Sequence, residues 1–400
     1  MPSIINRVVA RLRRPLFLCV VRVCERILKK RPELVLFGAM SGDWYGDNPR
    51  YVFEWVLANR PGIEPLWITK SSVVARRLRS EGKPVALAFS LAGLVALARA
   101  EKAVFSDGLM DLAMDPVLVP NSLSLIALRH GRSVKRVRFA RLGHKISEGE
   151  TRAKRKEGSL TRVVISTSEF VSDIQEECLQ IGREKHVVTG YPRNDVLMSV
   201  PRAHVCQWNL FLGEMTPAKT VLYAPTWRHG RNPTRFFPFD DVDISALHEF
   251  CERRQCLILL RPHRGDLVYP EVRAFFDELT GSPWIRLATH VEFHDVNSFL
   301  PFVDGLVCDY SALYHDFLLL DRPLIFVPYD YEEFAMTNGF LYDYFEWLPG
   351  SAVSTFADFL LELTRIGNGS DAHSEARRLL RDRIHTYQDA SSTERVAELL

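Results

Sequence analysis

Two histidines in this 400-residue sequence each follow an apolar run that could form a buried β-strand. His130 precedes a glycine that would allow close backbone approach to a ligand, and His263 stands two residues after Arg261. An imidazole exchanges a proton near neutral pH, and a guanidinium can bind a phosphate through two hydrogen bonds. Solvated surface loops would show the same residue types. The spacing of these residues is therefore compatible with a site for proton transfer beside a phosphate, but it does not establish one.

A third candidate, Ser311, lies where the apolar run 305–308 passes through Asp309 into a helical pattern. A serine in this position is suited to the N-cap of the helix. The unpaired N–H groups and partial positive charge of a helix N-terminus favour a bound phosphate. An ordinary strand–helix turn with a capping serine fits these residues equally well.

Basic residues concentrate in a segment after the first histidine. Residues 129–156 hold eleven Lys/Arg and two acids, and Arg132 and Lys135 lie near its start. Such a patch could attract a polyanionic acceptor or be a solvated basic loop. Arg193 and Arg228 each lie close to a turn-forming proline and an aromatic residue. Each could pair with an acid or line a cleft.

Several other chemistries find no support in the sequence. It contains no Gly-rich dinucleotide motif, no P-loop, no GxSxG nucleophile motif and no zinc-ligand spacing. The acidic run at 240–243 favours a solvated turn over a cation site, because nothing nearby would complete a coordination shell. The seven cysteines form no CxxC pair, which is typical of a reducing compartment. We therefore predict no metal and no cofactor.

Strand-like and helical runs alternate along most of the chain. Predicted strands lie at 33–38, 65–69, 85–88, 103–106, 124–128, 163–166, 186–189, 220–224, 256–260, 284–287, 305–308 and 323–327. This alternation predicts an α/β fold of two doubly wound, Rossmann-like domains, which we expect to face each other across a cleft. We place the domains at 34–200 and 218–400, because 201–217 has two prolines and no strong period. Ligands of such sheets bind at the carboxyl ends of the strands.

Residues 1–33 are basic and amphipathic. Residues 1–31 carry nine Lys/Arg and one acid, although the whole chain has a net charge of only +2. Apolar residues recur at helical spacing from Ile4 to Leu16. Such a helix can lie on an anionic membrane surface or pack on the first domain.

The best apolar stretch of the chain, 85–98, is too short to span a bilayer. The charge distribution does not indicate nucleic-acid binding.

A series of short motifs follows one another in a characteristic order. They are Asp47-Asn48-Pro49, His130-Gly131 with Lys135, Gly190-Tyr191-Pro192-Arg193-Asn194-Asp195, Ala224-Pro225-Thr226-Trp227-Arg228, Arg261-Pro262-His263, Asp309-Tyr310-Ser311 and Tyr329-Asp330. In joint order and spacing the chain resembles the CDP-glycerol glycerophosphotransferase family of teichoic-acid synthesis from about residue 34 to residue 360. It departs from the family pattern at several positions, among them Arg129, where the family usually has tryptophan.

The resemblance implies a GT-B fold, peripheral attachment to the cytoplasmic face of the cell membrane, CDP-glycerol or a similar CDP-polyol as donor, and CMP as product. It implies that His130 and His263 are the two functional histidines and that Ser311 belongs to the donor-phosphate site. The departures leave open the acceptor, an anionic polymer or its lipid-linked precursor, and the polyol itself.

The resulting hypothesis is a polyol-phosphate transferase in which His130 is the general base and His263 assists the leaving CMP. The residues predicted to bind donor phosphate are Arg261, Ser311, Asp309, Arg228 and Arg193. Lys135 and Arg132 are predicted to contact the acceptor or balance charge. One alternative is a GT-B glycosyltransferase that uses a nucleotide sugar for a capsule or surface polysaccharide. A second is a non-catalytic scaffold that binds anionic polymer through residues 129–156.

Overall fold

The computed structural model describes residues 19–112, 114, 119–131, 134–141, 146–228, 233–263 and 265–400. The chain divides into two compact units. Unit 1 comprises Met1–His130, Lys145–Arg193 and Ser391–Leu400, and unit 2 comprises Gly131–His144 and Asn194–Ala390. The last ten residues therefore return to the first unit, and the segment after His130 belongs to the second. Neither feature was anticipated from the sequence.

Unit 1 is built on a seven-stranded parallel sheet with the order β3-β2-β1-β4-β5-β6-β7. Its strands are β1 (Arg31–Gly38), β2 (Glu64–Thr69), β3 (Val85–Leu87), β4 (Ala100–Phe105), β5 (Ser124–Ala127), β6 (Thr161–Ser166) and β7 (His186–Val188). Its helices are α1 (residues 19–27), α2 (Asp47–Asn59), α3 (Ser72–Ser80), α4 (Leu91–Arg99), α5 (Glu148–Leu160), α6 (Glu169–Leu179) and, from the chain terminus, α15 (Ser392–Ala397).

Both faces of this sheet are buried, as a parallel sheet requires. Leu36 of β1 packs on one face in a cluster with Val21 of α1 and Leu94 of α4. The next residue, Phe37, packs on the other face, where its ring meets Phe53 of α2 edge to face, with the centroids 5.5 Å apart. The period-two alternation of a strand thus supplies two separate cores.

Unit 2 is built on a six-stranded parallel sheet with the order β10-β9-β8-β11-β12-β13. Its strands are β8 (Lys219–Tyr223), β9 (Cys256–Leu260), β10 (Ile285–Leu287), β11 (Gly305–Cys308), β12 (Leu324–Phe326) and β13 (Ser351–Ala352). Its helices are α7 (Asp195–Met198), α8 (Arg202–Leu212), α9 (Ile244–Arg254), α10 (Pro270–Leu279), α11 (Leu313–Phe317), α12 (Tyr331–Asn338), α13 (Phe356–Asn368) and α14 (Ser374–Ile384). Every residue of β9 is buried, which explains its unbroken apolar sequence.

The predicted α/β class and the parallel, doubly wound sheets are confirmed. The structure contains each of the twelve predicted strands, with ends shifted by up to three residues, and adds the two-residue β13. Ser90 is the N-cap of α4 and accepts the N–H of Gly93 at 3.1 Å. In the acidic run, Asp243 caps α9 and Asp241 accepts the N–H of Phe356, so both carboxylates serve the backbone.

Three segments between the predicted strands contain helical structure. The segment 201–217, placed between the two predicted domains, contains α8. The basic segment 129–156 contains most of α5, whose Ser147 cap and first-turn acids start a helix. Between β10 and β11, residues 296–302 form a pair of 3₁₀ turns, Val296–Ser298 and Leu300–Phe302, the second beginning with Leu300-Pro301. A proline ring excludes the helical bond that would continue the first turn.

The structure describes only part of the basic N-terminal segment, residues 1–33. The apolar positions from Ile4 to Leu16 lie outside the described residues, whereas 19–27 are helical and β1 already begins at Arg31. Val20, Val23 and Ile27 are exposed on this helix. Among the described residues, none of the helices combines the length and apolar character needed to cross a bilayer.

Candidate functional site

The carboxyl ends of parallel strands share one edge of a sheet, and in unit 1 the polar groups gather after β1, β4 and β5. His130 follows β5 by three residues, and Asp47 begins α2, which follows β1. Asp47 has a φ of +58°, a left-handed conformation that an aspartate adopts more readily than most residues. The turn carries its carboxylate towards the end of β5.

Asp47 and His130 form a hydrogen-bonded pair. The Nδ1–H of His130 donates to Oδ2 of Asp47 at 2.8 Å. The Asp47 side chain is 3% exposed, whereas the His130 side chain is 58% exposed. Because an ionised carboxylate can only accept, Nδ1 carries the proton, and Nε2 is the nitrogen with a lone pair to offer. A histidine in this tautomer is arranged to accept a proton from a substrate.

The charges of this pair reinforce each other. The carboxylate of Asp47 raises the pKa of His130 above its ordinary value, against the opposing effect of desolvation. Burial would raise the pKa of Asp47, but the charge and hydrogen bond of His130 and the charge of Arg193 outweigh it and leave that pKa well below its usual range.

Two further side chains hold the pair in position. Arg193 donates from Nη1 to Oδ1 of Asp47 at 3.0 Å, and its backbone N–H donates to the side chain of Asn48 at 3.0 Å. The fully buried Asn48 amide donates to the carbonyls of Leu128 and Arg129 at 3.0 and 2.7 Å. The Asp47-Asn48 dipeptide therefore fixes both the imidazole and the backbone that carries it.

A buried carboxylate organises the neighbouring loops. Asp111 accepts backbone N–H groups from Ser41 at 2.7 Å, Ser106 at 3.0 Å and Asp107 at 2.8 Å. Burial raises the pKa of Asp111 to about 6, although the backbone hydrogen bonds oppose this. Arg129, at a φ of +55°, pairs with Asp107 at 3.0 Å. Arg129, one of the residues that depart from the pattern of the resembled family, thus has a local acidic partner.

In unit 2, His263 follows β9 and stacks on Trp227, which follows β8. The ring centroids lie 4.3 Å apart with an angle of 21° between the planes. The N–H of Gly265 donates to Nδ1 of His263 at 3.1 Å. Nδ1 therefore has the lone pair in the neutral ring, and Nε2 carries the proton. This is the opposite tautomer to that of His130.

Arg261 is engaged within its own unit. Its Nη1 donates to the carbonyls of Ala288 at 2.7 Å, Thr289 at 2.9 Å and Phe293 at 2.9 Å. Burial lowers the pKa of the guanidinium to about 10, although Asp295 and Glu292 partly oppose this. The structure thus gives Arg261 the task of fixing the loop after β10, and its contact with a donor phosphate stays a prediction.

Arg228 and Asp309 belong to one ion-pair network. Arg228 donates to Asp309 at 2.7 Å, to Asp330 at 2.7 and 2.9 Å, and to the carbonyl of Thr226. The side chains of Arg228 and Asp309 are 9% and 1% exposed. Asp309 also accepts the N–H groups of Thr226 and Tyr310. These contacts tie together the loops after β8, β11 and β12, and direct phosphate binding by Arg228 or Asp309 stays a prediction.

Ser311 occupies a different position from the one predicted. Ala312 is the N-cap of α11, and the Ser311 hydroxyl accepts the N–H of Leu313 at 3.3 Å. Because α11 has only five residues, its dipole is smaller than that of the predicted helix. Ser311 thus orders the turn, and its phosphate contact stays a prediction.

Lys135 and Arg132 belong to the segment after His130. Lys135 pairs through its backbone with Phe340 in unit 2, and its ammonium lies 6.0 Å from the ring centre of Phe334. Desolvation lowers its pKa, with Asp309 acting in the opposite direction. Arg132 lies outside the described residues. The structure therefore assigns His130 and Lys135, five residues apart in sequence, to different units.

Sequence reasoning gave no role to Asp47, Asn48, Trp227 or Asp330. All four stand in the motifs that carry the family resemblance, which was the available signal, but their contacts join segments far apart in the chain. A cavity of about 630 Å³ in unit 1 lies beside α4 and the start of β1. Its lining includes Leu34, Leu66, Leu91 and Val95, and none of the predicted site residues borders it.

Comparison with known proteins identifies relatives over most of the chain. A family model described as CDP-Glycerol:Poly(glycerophosphate) glycerophosphotransferase matches residues 20–400. The chain is 24% identical over 387 residues to a teichoic acid glycerol-phosphate transferase from Staphylococcus aureus (strain NCTC 8325 / PS 47), covering 94% of this chain and 95% of that protein. It is also 24% identical over 336 residues to a teichoic acid poly(ribitol-phosphate) polymerase from Bacillus spizizenii, covering 82% of this chain but 50% of the polymerase. The chain thus spans about half the length of that second relative.

Solved structures show the same fold. A wall teichoic acid polymerase TagF, a histidine-to-asparagine variant soaked with CDPG, superposes with a TM-score of 0.79 at 19% identity, covering 99% of this chain and 94% of that chain. A UDP-N-acetylglucosamine 2-epimerase from Listeria monocytogenes gives a TM-score of 0.54 at 14% identity, covering 92% of this chain and 95% of that chain. At these identities the likeness concerns the fold alone.

Proposed function

Because the chain belongs to the CDP-Glycerol:Poly(glycerophosphate) glycerophosphotransferase family, we propose that it transfers glycerol phosphate or a related polyol phosphate from a CDP-activated donor. The acceptor is a hydroxyl of a teichoic-acid-type polymer or its lipid-linked precursor. CMP is the second product. The observation that carries the proposal is the Asp47–His130 pair, which offers a substrate hydroxyl an exposed imidazole in the base tautomer.

The reaction is a phosphoryl-type transfer. The acceptor hydroxyl attacks the phosphorus that bears the polyol, a new P–O bond forms, and the P–O bond to CMP breaks. Nε2 of His130 takes the hydroxyl proton, and the electron pair of the broken bond remains on the CMP phosphate. His263 donates a hydrogen bond from Nε2–H to that phosphate. Catalysis of this kind depends mainly on positioning and charge stabilisation.

The arginines have supporting roles in this mechanism. Arg193 stabilises the ionised state of Asp47. Arg228 holds the loop that carries Trp227, and Arg261 ties the loop that carries His263 to the loop after β10. A network whose donors already bind carboxylates and carbonyls provides a rigid frame rather than a set of unoccupied phosphate ligands.

The membrane surface is the proposed location of the reaction, at the cytoplasmic face. Helix α1 exposes Val23 and Ile27, 55% and 76% accessible, beside the exposed Arg22 and Arg26. An apolar stripe flanked by basic residues binds an anionic bilayer surface, with about 1 kcal/mol from each basic residue. Unit 1 would thereby meet a lipid-linked acceptor at the membrane.

The donor is tested with the purified full chain and a short lipid-linked acceptor. CDP-glycerol, CDP-ribitol, a UDP-sugar and a CMP-sugar are supplied separately, nucleotide release is followed by chromatography, and the product is weighed by mass spectrometry. We expect CMP release with a CDP-polyol and a product heavier by one or more polyol-phosphate units. Turnover of a sugar nucleotide alone would instead support a glycosyltransferase. Polymer binding without nucleotide release would support a scaffold.

The same set of donors shows which polyol the protein transfers. The names of the relatives include both glycerol phosphate and ribitol phosphate. Preference is read from kcat/KM with the two CDP-polyols, because discrimination lies in that ratio. The His130→Ala variant serves as the control for turnover that does not depend on the proposed base.

A further inference from the structure

The imidazole of His263 is held by two neighbours that act on different parts of the ring. Trp227 covers one face, with the ring centroids 4.3 Å apart. Gly265 donates its backbone N–H to Nδ1 at 3.1 Å. One contact fixes the plane of the ring, and the other fixes its rotation within that plane.

Glycine at position 265 makes this arrangement possible. A Cβ at that position would lie 3.1 Å from Nδ1 of His263 and 3.2 Å from Nε1 of Trp227. Both distances are tighter than ordinary van der Waals contact, so a larger residue would push the stack apart. The backbone therefore approaches both rings closely.

The stack is not part of a hydrophobic core. Both Trp227 and His263 are partly exposed, and neither belongs to the buried cluster that fills unit 2. Their contact buries some apolar area. It also sets the position of the imidazole, which burial alone would not require.

We propose that Trp227 is a positioning residue that holds His263 as an Nε2–H donor towards the phosphate of the leaving CMP. This inference rests on the proposed function. As the P–O bond to CMP breaks, its electron pair stays on the phosphate oxygen, and Nε2–H stabilises the added charge by a hydrogen bond. The ring keeps its proton during this step. Nδ1 accepts the Gly265 N–H and carries no proton, so the single proton of the neutral imidazole stays on Nε2.

The first test is a double-mutant cycle on steady-state CMP release. The variants are Trp227→Leu, Trp227→Phe, His263→Ala and the Trp227→Leu/His263→Ala double variant. We expect Trp227→Leu to lower kcat by about 10- to 100-fold with little change in KM, because misplaced catalytic groups lose about this much. Trp227→Phe keeps an aromatic face and should stay within about threefold of wild type.

Coupling distinguishes positioning from an independent contribution. If Trp227 acts through His263, adding Trp227→Leu to His263→Ala produces no further loss. Losses that multiply in the double variant would overturn the inference while leaving the proposed function intact. Full activity of His263→Ala would overturn both this inference and the role given to His263 in the proposed reaction.

The second test reads the tautomer directly by long-range ¹H–¹⁵N NMR of the histidine rings. The His263 signals are assigned by their disappearance in His263→Ala. We expect wild type and Trp227→Phe to show the Nε2–H form and Trp227→Leu to show a mixture with Nδ1–H. An unchanged Nε2–H spectrum in a folded Trp227→Leu protein would overturn the inference.

Discussion

Each of the two units places a histidine after a strand of a parallel sheet, but they hold it in opposite tautomers. In unit 1, a buried carboxylate accepts from Nδ1 of His130, which leaves the lone pair on Nε2. In unit 2, a backbone N–H donates to Nδ1 of His263, which leaves the proton on Nε2. The same side chain is thus prepared to accept a proton in one unit and to donate a hydrogen bond in the other.

The cations differ between the units as well. In unit 1, Arg193 supports a carboxylate that in turn supports an exposed imidazole. In unit 2, Arg228 is almost fully enclosed by two aspartates and a carbonyl. The presence of an arginine near a predicted site therefore does not make it a ligand of the substrate. Its partners decide whether it binds substrate or holds the frame.

The largest expected effect is the loss of the base in unit 1. His130→Ala should lower the rate of CMP release by about 10²–10⁴-fold, because it removes general-base catalysis. The rate is measured with saturating donor, and the folded state is checked by thermal melting. Near wild-type turnover would show that the exposed imidazole is not the base, and the contrast between the two histidines would fail.

The frame role of Arg228 predicts a loss of stability. Arg228→Leu should reduce the free energy of unfolding by about 3–5 kcal/mol, because it leaves two carboxylates without their partner. Arg235→Leu is a matched control, since Arg235 is exposed in the same region and its guanidinium lies 5.7 Å from the ring centre of Tyr329. Denaturant titration measures both variants. An Arg228→Leu protein of normal stability that cannot turn over would instead favour the phosphate role predicted from the sequence.

The Asp47–His130 pair predicts a pH dependence with a definite sign. Asp47 raises the pKa of His130, so the base is protonated and inactive at low pH, and activity should rise with an apparent pKa above about 6.5. Asp47→Asn should move this limb to lower pH. It should also lower the limiting rate by about 10- to 100-fold, since a charge-assisted hydrogen bond is lost.

The control for the pH profile of Asp47→Asn is a second carboxylate on α2. Glu54→Gln removes a carboxylate that binds Tyr45, Arg50 and Lys83 rather than a histidine. Its kcat/KM profile should keep the wild-type limb. A shift of equal size in Glu54→Gln would mean that Asp47 acts through the general field of the unit instead of through its bond to His130.

The smallest expected effect concerns α1, the basic helix at the start of unit 1. Arg26→Gln should weaken binding to anionic vesicles about fivefold, in line with about 1 kcal/mol for one basic residue near the surface. Arg273→Gln on α10 changes an exposed arginine of unit 2 and should have no effect. Co-sedimentation with anionic and zwitterionic vesicles provides the measurement. Equal loss in the two variants would remove the membrane distinction between the units.

The sequence by itself determined the fold class and the positions of the strands. Apolar runs such as Cys256–Leu260 are long enough to be buried on both faces, and the helical runs between them leave a parallel sheet as the compatible arrangement. It also indicated the two histidines, because polar residues that follow buried strands reach the sheet edge where ligands bind. The order of short motifs indicated the family, which the match over residues 20–400 establishes.

Tertiary structure decided which groups touch. Asp47 lies 83 residues from His130, and Asp330 lies 102 residues from Arg228, so neither pairing follows from local spacing. The start of α11 was misjudged for a related reason, since a helix end depends on packing as well as on its capping residue. Residue types and periods are local properties, whereas tautomers, ion pairs and pKa values depend on contacts that exist only after distant segments of the chain have packed together.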